Sequence, residues 1–223
     1  MDFSHVVKKI RNNLQKSGGA TFCTRHLKFE EESIEWEHFR NTYLWDISNP
    51  FPIHHKLTRE HIFLNSESKM RNHLAEDVLN CEMLHLMETY QQSLRKAGSK
   101  LNATVQLLKC AGTLITNFRE QRPITNTSDD RLRENHDAMD WFIKWENSIK
   151  SNIRIKDKEK CLISHQTRQD IVSSALGFKE LCLHKLKSSH SSIIPRRVNS
   201  DIVKICSVNR EHYTKVQIQI LHT

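Results

Sequence analysis

The sequence predicts a mainly α protein. Apolar residues recur at three- and four-residue spacing over most of its length, and strand-like alternation is confined to one short stretch. With only 5 Gly and 4 Pro among 223 residues, turns are few and long uninterrupted elements are expected.

The opening stretch places Val6, Val7, Ile10 and Leu14 on one side of a helix and Lys8, Lys9 and Arg11 on another. Ser4 has the chemistry to cap it. Ser17-Gly18-Gly19 breaks that pattern, and the alternation in residues 20–29 allows a short strand. A helix opens at residues 33–36 and runs to about Tyr43, with Trp36, Phe39 and Tyr43 or Leu44 on its packed face. Asn49-Pro50-Phe51-Pro52 is a firm boundary, since two prolines so close cannot continue a helix. Thr58 caps a short helix, and one long helix is expected over residues 66–96, with Met70, Leu74, Val78, Met83, Leu86 and Tyr90 along one side. Gly98-Ser99 closes it. Residues 102–120 form a further helix through Val105, Leu108, Leu114, Ile115 and Phe118. After a loop at 123–128, Asp129 or Asp130 caps a helix to Lys150 that turns Leu132, Met139, Phe142 and Trp145 inward. The last strongly periodic helix covers residues 166–188, with a broad apolar face through Ile171, Ala175, Leu176 and Phe178. There is no internal repeat.

Charge narrows the partners. With 34 Lys+Arg against 26 Asp+Glu, the chain carries +8, which favours a polyanion through counterion release. The densest cations are Lys8, Lys9 and Arg11, then Arg95, Lys96 and Lys100, then Lys185, Lys187, Arg196 and Arg197. No apolar run approaches the ~20 residues of a membrane span. Six scattered cysteines without Cys-x-x-Cys point to reduced thiols in an intracellular compartment. Cys23-x-x-His26 has no second pair at zinc-finger spacing, so no structural zinc is expected.

Several segments, in collinear order, resemble the P-element-type (THAP-family) DNA transposases. The first is Asp2-x-x-His5-x-x-Lys8-x-x-Arg11-Asn12. The second joins Trp36 to Lys56-Leu57-Thr58-x-x-His61-Ile62 and Lys69-Met70-x-x-x-Leu74-Ala75. The third is Asp129-Asp130-Arg131-Leu132-Arg133 leading to Trp141-Phe142-Ile143-Lys144-Trp145-Glu146. The fourth runs from Leu162-Ile163-Ser164-His165-Gln166-Thr167 through Gly177-Phe178-Lys179-Glu180-Leu181 to Pro195-Arg196-Arg197-Val198-Asn199-Ser200-Asp201.

The resemblance implies a helical, GTP-binding-type insertion domain over residues 49–190. Around it lie incomplete remnants of an RNase H-like α/β domain, at 1–48 and 191–223. It also implies nuclear localisation, DNA as a non-specific partner, and a full-length transposase or another protein as a second partner. Such enzymes use two divalent cations, usually Mg²⁺, held by three carboxylates, to cleave and join DNA. Asp2 matches the second carboxylate, and the first would lie upstream of this sequence. The third should be a Glu, but Lys204 stands there, and a protonated ammonium has no lone pair for a metal. Asp201 either substitutes as ligand or caps a helix. The expectation is therefore a truncated, catalytically inactive transposase relic, with a repurposed helical nucleic-acid- or protein-binding scaffold as the alternative. Guanine nucleotide would fall near Asn117 to Asn126, where the family's Phe-Asp-x-x-Asn-x-Arg run reads Phe118-Arg119-Glu120-Gln121-Arg122 and lacks its aspartate. Lys8, Lys9, Arg11, Arg196 and Arg197 are the candidate phosphate contacts. Mg²⁺ and GTP belong to the parent family, and this chain is not expected to need either.

Overall fold

A computed structural model of the chain describes residues 3–21, 23–188 and 191–198. Helix dominates: α1 (Phe3–Leu14), α2 (Trp36–Ile47), α3 (Arg59–Ile62), α4 (Asn72–Leu79), α5 (Cys81–Ser93), α6 (Asn102–Arg119), α7 (Asp130–Ser151) and α8 (His165–Ser188). Among the described residues the only sheet is an antiparallel hairpin, β1 (Lys28–Phe29) with β2 (Glu32–Ser33). The alternation at 20–29 therefore yields two strand residues.

Val6, Val7, Ile10 and Leu14 bury α1 against α4 and α8. The same buried cluster takes in Leu27 and Ile34, the inner faces of α4 to α7, and Ile171, Phe178 and Cys182 of α8. At ~1.5–3 kcal/mol per fully buried large apolar side chain, this cluster is the main stabilising term. Aromatic packing extends it: Phe29 lies 5.0 Å from Trp141, which sits 5.3 Å from Trp145. Trp36 stacks on Phe39 at 5.1 Å and donates its indole N–H to the Ile62 carbonyl.

Expected caps are present at two helices. The Asp129 carboxylate accepts the Arg131 N–H at the start of α7. The Thr58 N–H donates to His61 Nδ1 at 3.1 Å, so the other ring nitrogen carries the proton and donates to Asp77 Oδ2. Ser4, by contrast, lies inside α1, and its hydroxyl accepts from Arg119 at 2.6 Å.

The long helix expected over 66–96 is several pieces. A 3₁₀ turn at Ser68–Met70 precedes α4, and α5 starts afresh after Asn80. Asn80 is extended (ψ 179°) and its side chain accepts the Met83 N–H at 2.9 Å, capping α5. Asparagine competes well for this role because a short amide reaches back to a free N–H. Met70 falls outside α4 and is 68% exposed, and Leu176 on α8 is 42% exposed, so both depart from the apolar faces expected of them.

Candidate functional site

The N-terminal end of α1 is fixed by aromatic stacking. Phe3 lies flat on Phe118 of α6, centroids 4.1 Å apart at 8°, and Phe118 meets Phe178 of α8 at 4.9 Å. Arg119 links the same corner to α4, its Nε donating to Glu76 Oε2 at 3.0 Å. Asp2 lies outside the described residues, as do Asp201, Lys204 and the rest of 199–223. Among the described residues, no group of three or more His, Cys, Asp or Glu side chains is placed to hold a metal ion.

The three cations of α1 have different fates. Lys8 Nζ approaches the Met70 carbonyl at 3.4 Å. Lys9 Nζ crosses to α8 and donates to Asp170 Oδ2 at 2.6 Å. Arg11 was expected to project with them, yet its side chain is wholly buried. Its NH2 donates to the Ser68 and Lys69 carbonyls at 3.3 and 2.9 Å, closing the 3₁₀ turn. Burial, with no carboxylate partner among the described residues, lowers its pKa to about 10. A periodic pattern assigns Arg11 to the polar side. It cannot reveal that carbonyls from a turn 57 residues on will solvate it there.

Asn117 and Asn126 are not brought together. Asn117 is buried between α6 and α7, where its amide donates to Glu134 Oε2 at 3.0 Å and Asn135 Oδ1 at 3.1 Å. Asn126 is exposed in the next loop and accepts the Ser128 N–H. A cavity of about 350 Å³ opens beyond that loop, lined by Thr127, Asp129, Arg133, His136 and Lys179 among others, and by neither asparagine. Arg131 ties the loop down, donating to the Arg122 carbonyl at 2.6 Å and to Asp129 Oδ2 at 2.6 Å. That hydrogen bond from Arg131 holds the Asp129 carboxyl below its usual range.

Arg196 and Arg197 sit at the far end of α6. The Arg196 N–H donates to the Glu120 carbonyl, and Ile124 and Ile193 exchange backbone bonds of 2.7 and 3.0 Å beside them. Both guanidinium groups face solvent.

The sequence matches no protein-family model and no curated protein. In three dimensions the chain is similar to the Drosophila P element transposase strand transfer complex, with TM-score 0.60, 15% identity and 91% of this chain covered. The chain has a P element transposase-like fold. It spans 44% of the transposase chain. This likeness lies in the path of the helices, at 15% identity. No helix among the described residues is long and apolar enough to cross a membrane.

Proposed function

We propose that the chain is a transposase-related protein that associates with DNA without cutting it. The observation that carries this reading is the fold likeness, which covers 91% of the chain. The charge of +8 supports a polyanionic partner. Lys204, where the family pattern calls for a Glu metal ligand, supports loss of cleavage, because a cation there repels the metal it should bind. On this reading residues 49–190 are the helical insertion, 1–48 and 191–223 are remnants of the RNase H-like part, and the chain works in the nucleus.

Incubating the chain with supercoiled plasmid in Mg²⁺ or Mn²⁺ tests the reading. Retarded but intact plasmid is expected. Nicking that is abolished by Asp2→Ala would show an active metal site and overturn it. Absence of any retardation at low salt would overturn the DNA association.

A further inference from the structure

One basic stretch is not among the clusters read from the sequence. Residues 150–160 contain Lys150, Arg154, Lys156, Lys158 and Lys160 between α7 and α8. This loop is fastened to a segment more than a hundred residues earlier. The His26 N–H donates to the Lys160 carbonyl at 2.9 Å, and Arg25 NH1 to the Glu159 and Leu162 carbonyls at 3.0 and 2.5 Å. Trp145 Nε1 donates to the Lys28 carbonyl, and Asn152 to Glu31. Lys28 and Lys156 therefore share one edge of the molecule, around a cleft of about 420 Å³.

We infer that this edge is a docking surface for the phosphate backbone of duplex DNA, with Arg154 and Lys156 as its principal contacts. The inference rests on the proposed DNA association and locates it. Two carboxylates of the loop are already answered from within: Glu159 pairs with buried Arg168 at 3.0 Å and Asp157 with Lys160 at 3.0 Å. Lys28, Arg154 and Lys156 have no ion pair among the described residues and stand exposed. Glu35 and Asp157 also line the cleft, so cations exceed carboxylates there by a small margin, and Arg154 and Lys156 at its outer rim set the sign. Ile155 packs against the core and holds the loop in place between them. Gly19 adds no side chain to the cleft wall, leaving backbone open to approach. The one prominent apolar group is Ile153, 95% exposed at the loop tip. Leu27, Ile155 and Cys161 give the cleft an apolar floor, but the unpaired cations around it suit phosphates and sugars better than a protein partner.

The test is fluorescence anisotropy of a labelled 30-base-pair duplex with the full chain, at several NaCl concentrations. The charge reversal Arg154→Glu/Lys156→Glu is compared with Arg133→Glu/Lys179→Glu, two cations that line the cavity at the start of α7. The latter pair sits at the opposite end of α7, whose 22 residues span about 33 Å. Circular dichroism checks that both variants fold. The edge variant should lose at least about tenfold in affinity and flatten the salt slope by about two, while the control changes less than about threefold. Equal losses in both variants, or undiminished binding by the edge variant, would overturn the inference and leave DNA association standing. If the unmodified chain binds no duplex at 50 mM NaCl, the association itself fails, and this surface with it.

Discussion

Lys9 of α1 and Asp170 of α8 meet at 2.6 Å across 161 residues, and the Asp170 side chain is only 2% exposed. Gln166 donates to the other carboxylate oxygen at 2.9 Å, so the buried anion is satisfied on both sides. Removing the ammonium alone strands that anion. Lys9→Met should therefore cost about 1–3 kcal/mol in urea unfolding, below the full penalty for a buried pair because Lys9 remains 43% exposed. Lys9→Met/Asp170→Leu should recover most of the loss. An unchanged midpoint in the single variant would show that the pair contributes nothing.

The hairpin between β1 and β2 is strained. Glu30 and Glu31 both have positive φ, 49° and 68°, in the two-residue turn that ordinarily takes Asn-Gly. Glu32, by contrast, has a clear role, its carboxylate accepting the Ala103 N–H at 2.9 Å where α6 begins. Glu30→Asn/Glu31→Gly should stabilise the protein by about 1 kcal/mol or more, read as a raised thermal midpoint. A lowered midpoint would mean that the Glu31–Asn152 hydrogen bond outweighs the backbone strain.

Gly98 sets the opposite case. A Cβ there would stand 2.2 Å from the Gln91 carbonyl oxygen, while the Gln91 amide donates to the Gly98 carbonyl at 3.0 Å. Gly98→Ala must push backbone apart where α5 turns toward α6, and should destabilise by about 1–3 kcal/mol. Full retention of the wild-type midpoint would contradict that packing.

His38 gives the fold a dependence on pH. Its Nδ1 lies 2.7 Å from the Thr104 hydroxyl, and burial lowers its pKa, partly offset by Glu35, Glu37 and Glu32. The unfolded chain, with a histidine near 6.5, takes up a proton before the folded chain does. Stability therefore falls as pH drops from 7 through 6.5, by at most about 1.4 kcal/mol per pH unit for this group. His38→Asn should flatten the curve between pH 7 and 5.5. An unaltered slope would assign the acid sensitivity elsewhere.

Guanine nucleotide is expected not to bind at micromolar concentration. Asn117 already gives its amide to Glu134 and Asn135, and Asn126 faces solvent. Calorimetric titration of GTP into the full chain checks this. Saturable binding that prefers guanine over adenine would show that another set of residues forms the site.

Much of the fold is legible in the sequence, because helices with a wide apolar face reveal themselves by spacing. The inward residues of α6 and α7, including Val105, Leu108, Phe142 and Trp145, follow directly from that period. Breaks are harder to see. Asn80 interrupts an apolar series that runs on through Met83 and Leu86, and only its capping chemistry marks the end of α4. Cation placement is harder still. Arg11 and Lys8 lie three residues apart on one helix, yet one is buried by a distant turn and the other is half-exposed. The run from Lys150 to Lys160 is visible in the sequence, but the cleft that Arg154 and Lys156 share with Lys28 is a product of tertiary contact alone.

The most direct test of the central claim is the salt dependence of duplex binding by the unmodified chain. A plot of log affinity against log salt should be linear with a slope of about −2 to −4, as release of counterions from a few phosphates requires. Binding that is absent at 50 mM NaCl, or that does not weaken with added salt, would contradict a transposase-related protein that associates with DNA through its surface charge.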